Sequence, residues 1–272
     1  MLESRIHAYL RASASERAQR LGPFLLLLDE HDPGRYFNYA VPNDDLEPTP
    51  TDIAALIAAF RTRSRTPRLE YLPAVCSALE PALLTAGFVV EARVPILTCS
   101  PDNAATREPL GVHVLLATQE DEICKAADVQ AEAYGQSVTT DHDATRLRRV
   151  IDRGGLVALA VEKSSGVAVG AGQLGPPHPP NSKNHDAGEL IQNGELMPGS
   201  RPCSVSELAA VGVRKTHRRR GIATAVAAAL TRSAPSVGIT TPFLMTLGDA
   251  EERVYRRVGY RRAAEMLHIS MP

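Results

Sequence analysis

Apolar residues along the chain recur with two periods, one helical and one of strands, and the switches between them set out the elements. Residues 1–20 carry a helical pattern, and residues 24–28 then read as a buried strand ending at the turn-rich Asp32-Pro33-Gly34. After a loop rich in Pro and Asp, Thr51 or Asp52 can cap a helix in which Ile53, Leu56, Ile57 and Phe60 fall at i, i+3, i+4 and i+7. One face of that helix belongs to a core. A strand at 69–72, a helix at 74–86 stopped by Gly87, and a long Val- and Ile-rich strand at 88–99 follow. Residues 100–111 contain Pro101, Asp102, Asn103 and Pro109, and this break is the natural domain boundary.

Beyond the break the pattern predicts a strand at 112–117, a helix at 121–134, and a helix at 143–152 capped by Asp143. Strands at 156–162 and 168–174 are joined by Lys163-Ser164-Ser165-Gly166, which reads as a hairpin turn. Residues 175–202 are crowded with Pro, Asn and Gly and form an insertion between strands, either a lid or padding. Then come a strand at 205–213, a basic turn, a helix at 221–232, a strand at 243–247, a helix at 249–258 and a strand at 265–270. Strands alternating with helices imply an α/β or α+β sheet in two unequal domains, a smaller one over 1–108 and a larger one over 109–272.

Composition narrows the function classes. The 272 residues are 44% hydrophobic and 22% charged, which suits a packed core and excludes disorder and coiled coil. With 30 Lys and Arg against 31 Asp and Glu, the net charge of −1 provides no global field toward nucleic acid or an anionic membrane, so any basic site is local. Cys76, Cys99, Cys124 and Cys203 form no C-x-x-C pair, which argues against a zinc knuckle or disulfide framework and for a reducing compartment. No run is long enough for a membrane span, and the apolar run at 24–28 is too short and too late for a signal peptide. The expectation is a soluble cytoplasmic protein with no metal.

The chemistry concentrates where the strand at 205–213 feeds Arg214-Lys215-Thr216-His217 and then Arg218-Arg219-Arg220-Gly221-Ile222-Ala223-Thr224. A basic loop opening directly into a helix presents unpaired backbone N–H groups at the positive end of the helix dipole, a geometry that binds phosphate. Gly221 permits close approach of a pyrophosphate and small Ala223 keeps the next amide accessible. Neither G-x-x-x-x-G-K-[ST] nor G-x-G-x-x-G occurs, so nucleoside triphosphates and dinucleotides lack their usual cradles.

Arg218-x-x-Gly221-x-Ala223, preceded by Val211-x-Val213, resembles the acyl-CoA pyrophosphate loop of the GNAT acetyltransferase superfamily. The segment Ala250-x-x-x-Val254-Tyr255-x-x-Val258-Gly259-Tyr260 is similar to the family's Ala-x-x-x-Tyr-x-x-x-Gly-Phe helix. Either motif alone is weak; both, in this order, are specific, and the resemblance covers residue 112 to the C-terminus apart from the insertion. It implies a mixed, mostly antiparallel sheet flanked by helices, with the strands at 205–213 and 243–247 splaying apart around pantetheine. It also implies acetyl-CoA as co-substrate, held by Val211, Gly212, Val213, Arg218, Arg219, Arg220, Gly221, Ile222, Ala223 and Thr224. The implied activity is transfer of an acetyl group to a primary amine in a ternary complex, with Tyr255 as general acid and Glu207 as base. The acceptor is a small molecule or peptide, and a homodimer is compatible with this reading. The N-terminal part echoes the same unit, but residues 35–86 contain no glycine, so one acyl-CoA site per chain is expected beside a degenerate copy.

Plainer readings stand beside these. The basic run can be a solvated surface or an RNA-binding patch, and Tyr255 a core aromatic. Glu207 can be an ion-paired surface residue. Asp141-His142-Asp143 has metal-ligand chemistry but sits where a helix cap belongs, and His178 and His185 lie in the insertion. The cysteines read as small core residues without a His partner for covalent chemistry. A non-catalytic CoA-binding or regulatory protein that keeps the fold is the main alternative.

Overall fold

A computed structural model describes the chain except residues 16–17, 30–33, 35–36, 106–107, 137–138, 179–190, 193–194 and 197–203. Most of the insertion expected at 175–202, together with His185 and Cys203, therefore lies outside the described residues. In chain order the elements are α1 (Leu2–Ser15), β1 (Gln19–Leu21), β2 (Phe24–Leu27), β3 (Tyr39–Pro42), α2 (Pro50–Thr62), β4 (Arg68–Tyr71), α3 (Leu79–Thr85) and β5 (Val89–Thr98). There follow β6 (Val112–Leu116), α4 (Glu120–Ala133), α5 (Asp141–Asp152), β7 (Leu156–Glu162), β8 (Ala168–Leu174), β9 (Ile191–Gln192) and β10 (Glu195–Leu196). The last are β11 (Ser204–Val213), α6 (Ile222–Ser233), β12 (Ile239–Met245), α7 (Asp249–Val258) and β13 (Arg261–Ser270).

Two compact units result. The first comprises Met1–Ile96 and Ala263–Pro272, the second Leu97–Arg262. In the first, the strand order is β1-β2-β3-β4-β13-β5. The last strand pairs antiparallel with β4, from Leu267 opposite Tyr71 to Ser270 opposite Arg68, so residues that follow the second unit in sequence fold into the first. Strand β3 lies in what reads as a Pro-rich loop; its backbone pairs antiparallel with β2 and parallel with β4 at Ala40 and Leu69. The helix expected over 74–86 is a 3₁₀ turn, Pro73–Val75, followed by the shorter α3. Helix α2 is capped by Thr49, whose hydroxyl accepts from the Asp52 N–H while the Asp52 carboxylate accepts from the Thr49 N–H. This reciprocal box satisfies two orphan donors where a cap at Thr51 or Asp52 would satisfy one.

The second unit is built on the order β12-β11-β8-β7-β6. Only β11 and β12 are parallel; the other pairs are antiparallel. One face carries α4 and α5, where Ile123, Ala126, Ala127, Val129 and Leu147 pack with Val157, Leu159, Ala168 and Ala171. The other carries α6, whose Ile222, Val226 and Leu230 bury in a cluster that also takes in Val258 and Tyr260. Helix α6 approaches β8 closely because Gly170 and Gly172, two residues apart on one face, have no side chains. A Cβ at Gly170 would stand 2.6 Å from Ile222 Cγ2, and one at Gly172 2.9 Å from Val226 Cγ1. Gly170→Val is therefore expected to destabilise the chain by about 1–3 kcal/mol, read as a lower urea midpoint. An unchanged midpoint would mean that α6 does not depend on this close approach. No helix among the described residues is long and apolar enough to cross a membrane.

Candidate active site

The site begins where β11 parts from its neighbour. Parallel pairing with β12 runs from Ser204 opposite Ile239 to Glu207 opposite Phe243 and goes no further, whereas β11 continues for six residues along β8 alone. The antiparallel register then slips between Ala209, opposite Gln173, and Gly212, opposite Ala171, so Ala210 and Val211 have no partner in that ladder. Ala210 sits at φ +53°, in the left-handed region that residues with a Cβ seldom occupy. A bulge of this kind re-aims backbone groups away from the sheet. The sequence predicts the strand but gives no sign of the bulge.

The basic turn comes next. Arg214 pairs with Glu132 at 2.8 Å, and its N–H donates to Val169 O. Arg218 donates through Nε to Val213 O at 3.2 Å and through Nη2 to Ala133 O at 3.4 Å. Arg220 donates to Leu110 O at 3.5 Å and stands 3.5 Å from Glu162, which also faces His217 at 3.6 Å. The Ser165 hydroxyl, with His217 and Arg220, holds the Glu162 carboxyl below its ordinary range. Two of the three consecutive arginines thus fasten the loop. Arg219 alone among them has no side-chain partner among the described residues.

The loop backbone turns left-handed twice, at Arg219 (φ +64°) and at Gly221 (φ +81°), which caps α6. Left-handed residues flanking an ordinary one make a concave row of N–H groups, the nest arrangement that receives anions. The first helical bond is Ala225 N–H to Gly221 O, so the N–H groups of Ile222, Ala223 and Thr224 have no acceptor within α6. A Cβ at Gly221 would meet nothing within 4 Å, and the approach is open. Beyond the end of β12, the Thr246 hydroxyl is buried without a partner among the described residues, in the region where the strands separate. These features fit a ligand carrying a pyrophosphate and a chain of amides.

Tyr255 lies on α7, half-buried, with its ring edge-on to Tyr260 at a centroid distance of 6.1 Å and an interplanar angle of 69°. Burial pushes its phenol above the usual range near 10, and the neighbouring Tyr134 and Glu251 push in the same direction. Tyr260 is tied to the core through Thr231 Oγ1 at 2.8 Å. The Tyr255 hydroxyl has no hydrogen-bond partner among the described residues. At the start of α7 the N-cap is Gly248 without a side-chain bond, and Glu251 accepts from the Leu247 N–H at 3.0 Å. Glu252 holds Arg256 and Arg262 with its buried carboxylate, at 2.7 and 2.6 Å.

Glu207 occupies the last rung of the parallel ladder, and its carbonyl accepts from Gly175 N–H. By strand alternation it shares the α4 and α5 face with Ala209 and Gln173. Asp143 is the third residue of α5 and closes a capping box begun by Thr140, rather than being the cap itself. His178 bridges to Val205, Cys76 and Cys99 are buried, and Cys124 is exposed, contrary to a core role for it.

The feature missed from the sequence is the last turn of α4. Gln130 reaches Ala210 O, Glu132 pairs with Arg214, Ala133 supplies its carbonyl to Arg218 and stands against Gly212, and Tyr134 neighbours Tyr255. One helix end therefore gathers the bulge, the basic loop and the tyrosine. A buried glutamine in an otherwise apolar helix stripe was the available signal.

Residues 192–269, spanning β11 to most of β13, match the FR47-like protein family. No curated protein matches the chain by sequence. Among solved structures, a GCN5-related N-acetyltransferase from Kribbella flavida is similar over 100% of this chain and 96% of its own, with a TM-score of 0.71 at 21% identity. A GCN5-related N-acetyltransferase from Sphaerobacter thermophilus is similar over 91% and 75%, with 0.60 at 16%. A tandem GNAT protein from the clavulanic acid biosynthesis pathway is similar over 92% and 80%, with 0.59 at 12%. At these identities the likeness is one of fold: the chain has the GNAT fold.

Proposed function

We propose that the chain is an acetyl-CoA-dependent N-acetyltransferase that moves an acetyl group directly to a primary amine in a ternary complex. The observation that carries this is the path of β11: it leaves β12 after Glu207, bulges at Ala210 and Val211, and runs through a doubly left-handed loop into the open N-terminus of α6. The pyrophosphate of acetyl-CoA is assigned to the N–H groups from Gly221 to Thr224, with Arg219, which has no side-chain partner among the described residues, as the cation and Arg218 and Arg220 shaping the loop. The pantetheine amides are assigned to Val211, Gly212 and Val213, along the edge from which β12 has departed.

The chemistry asks the protein to hold amine against thioester, to stabilise a developing oxyanion and to handle two protons. Glu207 takes a proton from the amine, whose nitrogen then bonds to the acetyl carbon. A backbone N–H of the segment 211–213 meets the oxyanion. As the carbon–sulfur bond breaks, Tyr255 gives its proton to the CoA sulfur, leaving an amide and free CoA. The acceptor is a small-molecule or peptide amine.

The test combines calorimetry with thiol release. Acetyl-CoA should bind with a stoichiometry of one, because the nest occurs once among the described residues and residues 35–86 contain no glycine. An amine panel should then release free CoA and form an N-acetyl product visible by mass spectrometry. Binding without release from any amine would leave a CoA-binding protein and remove the enzymatic reading.

A further inference from the structure

We infer that Gln130, held by Arg146, is a positioning residue that aims the Val211 N–H toward the acyl carbonyl; this deepens the acetyltransferase reading and rests on it. Gln130 is only 2% exposed, on a helix face otherwise lined by Ile123, Ala126, Ala127 and Val129. A buried amide is costly unless both its ends are paired. Here both are: Nε2 donates to Ala210 O at 3.0 Å, and Oε1 accepts from Arg146 Nη2 at 2.8 Å. A backbone carbonyl only accepts and a guanidinium only donates, so the chemistry fixes which way the amide points.

Arg146 also donates through Nη1 to Gln173 Oε1 at 2.7 Å, and Gln173 stands opposite Ala209, the residue before the bulge. One guanidinium thereby grips both the strand across from the bulge and the side chain that holds the bulge itself. Ala210 is in a left-handed conformation that is unfavourable for a residue with a Cβ, and such residues persist where their surroundings over-determine them. The bond from Gln130 is one such constraint.

Its consequence follows from the peptide plane. The Ala210 carbonyl and the Val211 N–H belong to one planar trans unit and point in opposite directions. Fixing the carbonyl toward α4 fixes the N–H away from it. An oxyanion donor contributes most when its direction is set before the charge develops, so a donor left free to swing would lose rate more than affinity. Gln130 touches no reacting atom and acts through the backbone it holds.

Gln130→Glu and Gln130→Met in the full chain separate this role from packing. Glutamate keeps the shape and the acceptor for Arg146 but sets an acceptor against Ala210 O; methionine keeps the volume and loses both bonds. In both variants kcat should fall at least about tenfold, with the KM for acetyl-CoA within about threefold of the parent. Hydrogen exchange of residues 208–213 should quicken while the first turn of α6 is unchanged. If Gln130→Glu turns over at the parent kcat, or the exchange of 208–213 does not change, Gln130 is a packing residue and the inference falls. Arg146→Lys, which cannot span both acceptors, gives the same reading at a second position should the Gln130 variants not fold. A parent chain that binds no acetyl-CoA overturns the acetyltransferase reading and this inference together; a parent that turns over amine beside variants that keep pace overturns the inference alone.

Discussion

Tyr255→Phe is expected to lower kcat about 100-fold, within the range for loss of acid–base catalysis, while the affinity for acetyl-CoA stays within about threefold. The variant keeps the ring, its edge-on packing with Tyr260 and its place on α7, and removes only the hydroxyl. That hydroxyl has no hydrogen-bond partner among the described residues, so folding stability should change little. A departing thiolate needs a donor that is still protonated at working pH. A phenol titrates near 10 in water, and burial, Tyr134 and Glu251 all move Tyr255 upward, so the neutral donor form persists to still higher pH. The sign is definite: the pH profile of kcat should show no fall assignable to Tyr255 below about pH 10, and any limb on the acid side belongs to another group, the amine or its base. Parent turnover by the phenylalanine variant would hand the proton to water and return Tyr255 to the core.

Much of the local backbone of this candidate site is legible in the sequence, for a local reason. A strand that ends in a basic run and a glycine, followed by a helix, is written in adjacent residues, and so is the spacing from Tyr255 to Gly259. The bulge at Ala210 is not written locally. Nothing about Ala-Ala-Val announces a left-handed residue, because the conformation is held from α4, some eighty residues earlier in the chain, by Gln130. The arginine run is legible as charge but not as geometry: Arg218 and Arg220 donate to the Val213, Ala133 and Leu110 carbonyls, and Arg219 has no side-chain partner among the described residues. The fate of the last strand was hidden in the same way. Residues 265–270 carry a plain strand pattern, yet their partner is Arg68–Tyr71, a pairing that only the folded chain brings about. The caps lie two or three residues before the positions the sequence suggests, at Thr49 and Thr140, because a carboxylate three residues into a helix looks in sequence like the cap it is reaching back to.

Gly221→Glu is expected to weaken acetyl-CoA binding by at least tenfold, about 1.4 kcal/mol, and by more as ionic strength falls. Two effects are folded into that substitution and the structure separates them. Sterically the position is open, since a Cβ there meets nothing within 4 Å, so a side chain projects into the space assigned to the pyrophosphate without displacing protein atoms. Conformationally it is demanding, since φ is +81° and a Cβ costs of order 1 kcal/mol in the left-handed region. Gly221→Asn supplies the control, because asparagine tolerates that region better than most residues and brings no charge. The asparagine variant should fold with near-parent stability and lose less affinity than the glutamate variant, whereas strain alone would make both lose affinity in step with their stability. The remaining contribution is electrostatic. A carboxylate at the cap interacts favourably with the α6 dipole, so it occupies the place of the phosphate by the same physics that would bind it. For that reason the glutamate variant can be as stable as the parent while binding poorly, a combination that a general folding defect does not produce. Calorimetry showing parent affinity in a folded Gly221→Glu chain would move the phosphate site away from α6 and take the assignment of Ile222, Ala223 and Thr224 with it.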